Sequence, residues 1–402
     1  MRRRGEATSP LPAYMENVMS KKQPPTLRQK LEAMAPADKY VLWVVLVLAA
    51  AGVVAVYSAI SFLAETKADG DTELFLLRHV VRLGLALGAV ALFSVIDYRK
   101  LARWGRVLLI GSLVLLVLVQ LFGVTYGGAT RALRLGPVSI QPSDLAKVAL
   151  VLYVGVLLAR KQEYVKSFSR AFAPIFLWVF LSIVLIGIED LSTAALVLVS
   201  VGLMSFIGRA SVLHLGSLTA AGAACAVMLL LASPNRAERV EAYLGVKIFS
   251  HTQTEEVFDT QAEGYQARQA RIAFALGGLT GRGPGKSLQR DFLPAPYNDF
   301  IFAIIAEEYG MVGALGLLGL FVVLLFRGYL RIARYAPDPL GLFLAVGFTT
   351  MVALYGFVHA GVASGLLPVT GLPLPLVSYG GTSMIATGVM IGILLNISRH
   401  AK

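Results

Sequence analysis

Residues Gly281 to Gly313 read GRGPGKSLQRDFLPAPYNDFIFAIIAEEYGMVG, a glycine-rich polar segment that leads directly into an apolar helix. Asp299 stands where that helix is expected to begin, and Glu307 and Glu308 follow about two turns further along. Carboxylates are costly inside a bilayer, so a membrane helix that carries three of them predicts a functional site. A helix cap would explain Asp299 alone, but it would not explain the two glutamates.

The composition identifies a polytopic membrane protein. Of 402 residues, 56% are hydrophobic and 15% are charged, and the mean hydropathy is +0.70, more apolar than a soluble core requires. Apolar runs long enough to cross a bilayer predict an all-α fold of about ten transmembrane helices, at Tyr40–Leu63, Leu76–Ile96, Val107–Val124, Leu145–Ala159, Phe172–Ile188, Leu191–Ile207, Val212–Ala232, Phe300–Phe326, Leu340–Ala360 and Leu374–Ile397. The two runs separated only by Glu189 and Asp190 could instead form one broken helix, which would leave nine.

The distribution of basic residues predicts the orientation. Lys and Arg are retained in the cytoplasm, and here they are concentrated before the first span and in alternate short loops. Both termini are therefore expected in the cytoplasm, which places a long loop, residues 233–299, outside it between helices 7 and 8. Residues 1–37 are expected to be a disordered tail before one membrane domain, residues 38–402. The formal charge of +12 suggests anionic membrane lipids as partners and argues against nucleic acid.

Polar residues elsewhere have simpler interpretations to set against functional ones. Lys147 could pair with Asp144, three residues before it, or hold an anionic ligand. Glu189 and Asp190 are most simply a solvated tight turn. His359, alone in its span, is most simply an interhelical hydrogen-bond partner. The five histidines and the single cysteine show no metal-binding spacing, so no metal site is predicted.

Two irregular segments could contact a ligand. The loop sequence GGLTGRGPGKS resembles a phosphate loop, but Thr280 stands where that motif requires glycine. Its glycines could still approach a ligand while nearby cations neutralise a diphosphate, although a flexible connector is the alternative; these cations are Arg282, Lys286 and Arg290. In the last span, GLPLPLVSYGGTS interrupts the helix, which fits a packed re-entrant turn or a cavity wall. The hydroxyl groups of this stretch, among them those of Ser378 and Tyr379, favour the cavity.

Four motifs in order carry a family resemblance: QPSDLAK, GYQARQARIAFALGGLTGRGPGKSLQR, LPAPYNDFIFAIIAEEYGMVG and GLPLPLVSYGGTSM. Together they resemble the SEDS family (shape, elongation, division and sporulation). The resemblance implies a peptidoglycan glycosyltransferase that polymerises lipid II at the outer face of the bacterial inner membrane. It also implies a class B penicillin-binding protein as crosslinking partner, among other division proteins. GPGKSLQR and the long basic tail resemble the division members more than the elongation members.

The resemblance also assigns roles to residues. Asp299 matches the family's essential aspartate, Lys147 matches a functional basic residue, and Arg236 and Arg239 match its Arg-x-x-Arg motif. The chain departs from the family at Ala132, where tryptophan is usual, at Asp144, where glutamate is usual, and at Glu189, where proline is usual. These departures concern the contacts around Arg131 rather than Asp299.

The implied chemistry needs a base and a set of cations. Asp299 would deprotonate the acceptor hydroxyl, and Glu307, Glu308 and His359 would support the site. The departing diphosphate would be stabilised by cations drawn from Arg131, Lys147, Arg236, Arg239, Arg282, Lys286 and Arg290. A divalent cation such as Mg²⁺ or Mn²⁺ could share that charge. The rival hypotheses are a flippase that transports lipid II without chemistry and a noncatalytic scaffold of the division machinery.

Overall fold

A computed structural model describes residues 37–67, 72–126, 129–135, 138–246 and 263–401. Residues 1–36 of the expected tail and residues 247–262 of the long loop lie outside these ranges. The described helices are α1 Lys39–Lys67, α2 Thr72–Val95, α3 Tyr98–Arg103, α4 Gly105–Phe122, α5 Pro142–Arg160, α6 Ala173–Glu189, α7 Leu191–Ile207, α8 Val212–Leu231, α9 Pro234–Leu244, α10 Glu263–Gly277, α11 Ile301–Phe326, α12 Pro339–Ala363 and α13 Thr382–His400.

The multi-pass, essentially helical architecture is confirmed. Nine of the described helices are long and apolar enough to cross a membrane, namely α1, α2, α4, α5, α6, α8, α11, α12 and α13. The remaining predicted span, α7, is apolar but has only 17 residues. Helices α6 and α7 pack against each other, and Asp190 between them is extended, so they are two helices rather than one.

The junction of α6 and α7 contradicts one prediction. Glu189 and Asp190 were expected to form a solvated turn, but their exposed fractions are 0% and 5%. Asp190 begins α7 as its cap, and its Oδ1 accepts hydrogen bonds from the backbone N–H groups of Ser192 and Thr193 at 3.0 and 3.1 Å. The short side chain thus satisfies amide groups that have no partner within the helix.

Close helix packing at glycines organises the bundle. Helices α5 and α12 are buried along most of their length and form its centre. Helix α13 packs along α2, and a side chain at Gly388 would stand 2.3 Å from the carbonyl oxygen of Ala86. Four residues on, a side chain at Gly392 would stand 2.7 Å from Phe93 Cβ and 2.9 Å from the carbonyl oxygen of Val90. This is the small-residue spacing that lets two membrane helices approach closely.

A small antiparallel sheet, β1–β2–β3, connects α4 to α5 and was not predicted. Its strands are Val124–Tyr126, Ala129–Leu135 and Val138–Ile140. The last predicted span also differs, because α13 begins at Thr382 rather than Leu374. Residues 371–381 form no helix, as expected for a stretch with two prolines. We call them the 371–381 segment.

Helix α11 is broken at Gly310, where φ is 66° and ψ is −166°, a conformation that only glycine adopts readily. The loop after α10 lies in the break. The N–H groups of Arg282 and Gly283 donate to the carbonyl oxygens of Glu307 and Glu308 at 3.0 and 2.9 Å.

Past the break the direction of the hydrogen bonds is reversed, because here the helix donates and the loop accepts. The N–H groups of Met311 and Val312 donate to the carbonyl oxygens of Gly278 and Leu279 at 2.9 and 3.2 Å. The loop therefore supplies the backbone partners that the helix loses, which irregular backbone in a membrane protein requires.

We expect Gly310→Ala to destabilise the protein. The new methyl group would stand 2.4 Å from Gly281 N and Leu279 O, and the positive φ is strained for alanine, so the cost should be at least about 1–3 kcal/mol. Thermal unfolding of the purified protein in detergent should show a lower Tm than the parent. Gly316→Ala is the matched control, because its methyl group would meet open space. Equal Tm values for the two variants would contradict this account of the break.

Candidate active site beside Asp299

Asp299 lies in the turn that precedes α11, not on the helix itself. The helix begins at Ile301, and its N-cap residue is Phe300, which makes no side-chain cap hydrogen bond. Asp299 therefore does not occupy the N-cap position that the simple interpretation gave it. The expectation that all three carboxylates belong to one helix is also wrong, since only Glu307 and Glu308 lie on α11.

The 371–381 segment is bonded to the residues just before Asp299. Ser378 Oγ donates to Asn298 O at 2.7 Å and accepts from the N–H of Leu374 at 2.8 Å. The N–H of Tyr379 donates to Tyr297 O at 2.9 Å. Ser378 and Tyr379 thus hold the two residues before Asp299 in place through hydrogen bonds.

His359 holds the same segment from α12. Its Nδ1 lies 2.7 Å from the carbonyl oxygen of Leu372, and the ring is buried. The expected hydrogen-bonding role is thus confirmed, although the partner is irregular backbone rather than another helix.

Gly371 opens a small space that a carboxylate and a guanidinium both border. A side chain at this position would stand 3.7 Å from Asp299 Oδ2 and 3.8 Å from Arg131 Nη1. Burial, followed by the neighbouring Tyr379 and Asp299 side chains, raises the pKa of Tyr297. Asp299, Arg131, Tyr297 and Tyr379 are therefore neighbours at one end of the bundle.

Two of the predicted cations meet beside this space at the end of α6, and the charge of a third, Arg239, acts on one of them. Arg131, on β2, donates from Nε to Glu189 O at 3.1 Å, and Arg236, on α9, donates to Ile188 O at 2.5 Å. These carbonyls carry the negative end of the α6 dipole, which favours cations. Burial, then the charge of Arg131, lowers the pKa of Arg236, and Arg239 acts in the same direction. A dianionic ligand would relieve this mutual repulsion.

Lys147 is held in a buried polar network rather than presented to solvent. Its Nζ lies 2.7 Å from Asp144 Oδ1 and 3.2 Å from the Tyr355 hydroxyl, so the simple ion-pair prediction is confirmed. Thr382 donates to the other oxygen of Asp144 at 2.7 Å, and Thr193 lies 3.0 Å from the Tyr355 hydroxyl. The network joins α5, α7, α12 and α13.

A cavity of about 10 Å³, the least that admits one water molecule, lies between Lys147 and the 371–381 segment. Lys147 and Tyr355 line it together with Leu374 and Ser383. In this position Lys147 borders the 371–381 segment from the side of α5.

The three cations of the loop differ in their contacts and exposure. Arg290 Nη1 donates to the carbonyl oxygens of Gly285 and Ser58 at 3.0 and 3.3 Å, so it ties the loop to α1. Arg282 and Lys286 are exposed. The structure shows the loop wrapped onto α1 and α11, and it supports a fixed element rather than a flexible connector for the part that is described.

Glu307 and Glu308 anchor this loop. Glu307 accepts hydrogen bonds from Ser287 Oγ at 2.5 Å and from the N–H groups of Leu288 and Gln289 at 2.9 and 3.2 Å. Glu308 accepts from the hydroxyl of Ser58 on α1. Both glutamates are fully buried. Their bonds explain why a membrane helix keeps two carboxylates.

Sequence reasoning missed several residues near the site. Tyr355 and Thr193 lie in no motif, and only the packing reveals them. Tyr297 lies within the motif LPAPYNDFIFAIIAEEYGMVG, but no role was predicted for it. Arg78 and Arg82 on α2 could have been found, because two charges inside an apolar span are a functional signal in themselves. Within the described residues, no group of three or more His, Cys, Asp or Glu side chains could hold a metal ion.

The fold and the site define a multi-pass membrane protein with a carboxylate and a cluster of cations at one end of its helical bundle. Residues 39–402 match a family profile described as "Cell cycle protein", that of FtsW, RodA and SpoVE. The chain belongs to this family, which is the SEDS family that its motifs resemble.

Relatives and solved structures agree with this assignment. The chain is 36% identical over 371 residues to stage V sporulation protein E of Bacillus subtilis, covering 91% of this chain and 98% of that protein. It is 37% identical over 369 residues to the probable peptidoglycan glycosyltransferase FtsW of Geobacter metallireducens, covering 91% and 95%.

Two solved structures share the fold. A chain of a peptidoglycan synthase complex that coordinates polymerization and crosslinking superposes with a TM-score of 0.68 and 29% identity, covering 90% of this chain and 98% of that one. The rod shape determining protein RodA of Thermus thermophilus superposes with a TM-score of 0.65 and 28% identity, covering 90% and 97%.

We expect Glu307→Gln to loosen the loop. An amide offers one acceptor oxygen where the carboxylate offers two, and its NH2 group would face donors, so at least one of the three bonds must be lost. Limited digestion with trypsin should then cut faster at Arg282 and Lys286. Glu238→Gln, at an exposed position, should leave the cleavage rate unchanged. Unchanged cleavage in the Glu307 variant would show that the carboxylate does not anchor the loop.

Proposed function

We propose that this chain is a peptidoglycan glycosyltransferase that polymerises lipid II into glycan strands. The observation that carries the proposal is the placement of Asp299 and Arg131 around the space at Gly371. Support comes from the family, whose member FtsW of Geobacter metallireducens is named a probable peptidoglycan glycosyltransferase. Support for a septal role comes from the FtsW and SpoVE relatives.

In the proposed reaction, the carboxylate on one side of this space acts as the base and the cations on the other side stabilise the leaving group. The hydroxyl oxygen of the acceptor sugar attacks the anomeric carbon of the donor, and its proton passes to the carboxylate of Asp299. The bond from that carbon to the diphosphate oxygen breaks, and the electron pair leaves with the polyprenyl diphosphate. The charge that develops on the leaving group is stabilised by Arg131, Arg236 and Arg239.

Other predicted groups take supporting tasks. Lys147 links α5 to α12 through Tyr355, pairs with Asp144 and borders the 371–381 segment. Glu307 and Glu308 hold the loop that bears Arg282 and Lys286, two cations that could guide an anionic headgroup toward the site. The participation of Mg²⁺ or Mn²⁺ stays a prediction.

The orientation completes the proposal. The distribution of basic residues supports cytoplasmic termini, which would place Asp299 at the outer face of the bacterial inner membrane. A substrate with a lipid anchor and a polar sugar headgroup can reach Asp299 there while its chain remains in the bilayer. Undecaprenyl diphosphate would be the by-product.

We expect Asp299→Asn to abolish polymerisation without unfolding the protein. The amide has nearly the same shape but is not a base, and loss of a general base costs about 10²- to 10⁴-fold in rate. The measurement is glycan polymer formed from lipid II by purified protein, with and without its cognate penicillin-binding protein. Asp291→Asn, at an exposed carboxylate, is the control and should retain the parental rate.

The outcomes of this assay separate the rival functions. Polymer from Asp299→Asn at the parental rate would refute the proposed base. A flippase would give no polymer even from the parent protein. A scaffold would let Asp299→Asn support division normally in cells.

The proposed partner is a class B penicillin-binding protein, because glycan polymerisation alone leaves strands uncrosslinked. The structural relative from a peptidoglycan synthase complex supports such an assembly. Gly316 and Gly319 offer a docking face on α11, since a side chain at either would meet open space. Gly313, one turn earlier on α11, is unlike them, because a side chain there would stand 2.3 Å from Tyr309 Cβ.

We expect Gly316→Leu to weaken co-purification of the penicillin-binding protein. Interfaces between membrane helices favour small residues, and leucine would hold the partner helix away. The matched control is Gly111→Leu on α4, where a side chain would also meet open space. Equal recovery of the partner with both variants would place the interface elsewhere.

A further inference from the structure

Helix α2 carries two arginines that the proposed function does not use. Arg78 and Arg82 are one turn apart, the first exposed and the second half-buried, within a helix long and apolar enough to span the membrane. The guanidinium of Arg82 stacks 4.5 Å from the centre of the Tyr379 ring, and that of Arg78 lies 5.8 Å from Phe75. Within the described residues, neither guanidinium has a hydrogen bond or an ion pair. Such charges in a membrane helix call for an anionic partner.

His79, between the two arginines, gives a second and independent sign of a ligand. The side chain is completely buried and stacks on Tyr379 with ring centres 5.9 Å apart. Both ring nitrogens lack a hydrogen-bond partner among the described residues. A buried polar group without a partner costs free energy, so its presence here suggests a ligand or water that it serves.

The arginines of α2 lie on a different side of the site from Arg131. Helix α2 packs on α1 and α13, whereas Arg131 contacts the end of α6. The 371–381 segment connects the two regions, because Gly371 adjoins Arg131 and Asp299 while Tyr379 adjoins Arg82. Tyr379 also makes an edge-on contact of 5.5 Å with Tyr297, two residues before Asp299.

We propose that Arg78 and Arg82 form a second diphosphate-binding site, which holds the lipid-linked substrate whose diphosphate is not cleaved. This inference rests on the proposed function, in which two substrates with polyprenyl diphosphates meet at Asp299. Only the donor breaks its bond to diphosphate, so the denser set of cations at Arg131 suits the charge that develops there. The acceptor's diphosphate keeps its charge throughout, and two arginines suffice to hold it.

The surroundings of the two arginines suit a lipid-linked ligand. Leu77, Val81 and Leu85 of α2 are exposed, so a polyprenyl chain can stay in the bilayer along this helix while its diphosphate meets the guanidinium groups. A bulk phospholipid also carries a negatively charged phosphate, although only one. The experiment must therefore distinguish the carrier lipid from ordinary anionic lipid.

The test is the number of undecaprenyl diphosphate molecules bound by the protein in phosphatidylcholine nanodiscs, measured by native mass spectrometry across a titration. The parent should bind two, and Arg131→Gln should still bind one. The double variant Arg78→Gln/Arg82→Gln should bind one, with affinity for the second lowered at least about tenfold, as expected for lost hydrogen bonds to charged groups. The control Arg103→Gln/Arg106→Gln changes two arginines outside this site and should bind two.

Two results would overturn the second site. One is the binding of two molecules by the α2 double variant with the affinities of the parent, and the other is displacement of the probe by an equal concentration of phosphatidylglycerol. If the double variant does not fold, the single variant Arg78→Gln, at an exposed position, must show the weaker second binding. Binding does not require catalysis. A parent that binds two molecules but forms no polymer would refute the proposed function and leave the site standing.

Discussion

The exchange of four backbone hydrogen bonds between the α10–α11 loop and the break at Gly310 is the constraint on which the rest of this site depends. A helix broken inside a membrane protein leaves amide and carbonyl groups that water cannot reach, and each one left unsatisfied costs about 1–3 kcal/mol. Here the loop satisfies them, so loop and helix must form together. The close approach requires backbone without side chains, which explains glycine at 281 and 310, where a Cβ would stand 2.2 and 2.4 Å from backbone atoms. The buried carboxylate of Glu307 then fixes the next turn of the loop.

The same requirement positions Asp299. The 371–381 segment is irregular, and its backbone is satisfied by Ser378, His359 and the residues just before Asp299. The two residues before Asp299 are consequently held by the 371–381 segment, through Ser378 Oγ and the N–H of Tyr379. Rigid positioning of this kind is what a general base needs, because catalysis depends on geometry fixed before the substrate arrives. Arg131 and Arg236 are likewise held by backbone carbonyls at the end of α6, so a bound diphosphate would not have to organise them.

The sequence predicts the helices well and the site in part. Span lengths follow from bilayer thickness, and α7 has the predicted bounds Leu191–Ile207. Hydropathy carries no information on backbone angles, so the break at Gly310 was invisible, although the prolines before Thr382 did predict the interrupted last span. Convergence of Arg131 with Arg236 depends on the small sheet and on α9, and neither follows from periodicity. The solvated turn at Glu189 was wrong because charge alone does not predict exposure. Arg82 was overlooked although a charge within a span is a signal that sequence does carry.

The most direct test of the central claim, that Asp299 is the base and faces a diphosphate held at Arg131, is a structure of this protein bound to an acceptor and a non-reactive donor analogue of lipid II. We expect the acceptor hydroxyl within about 2.6–3.2 Å of an Asp299 carboxylate oxygen. We expect the donor diphosphate on the guanidinium groups of Arg131 and Arg236. An acceptor hydroxyl on any other carboxylate, or a donor diphosphate bound only by Arg282 and Lys286, would contradict the account.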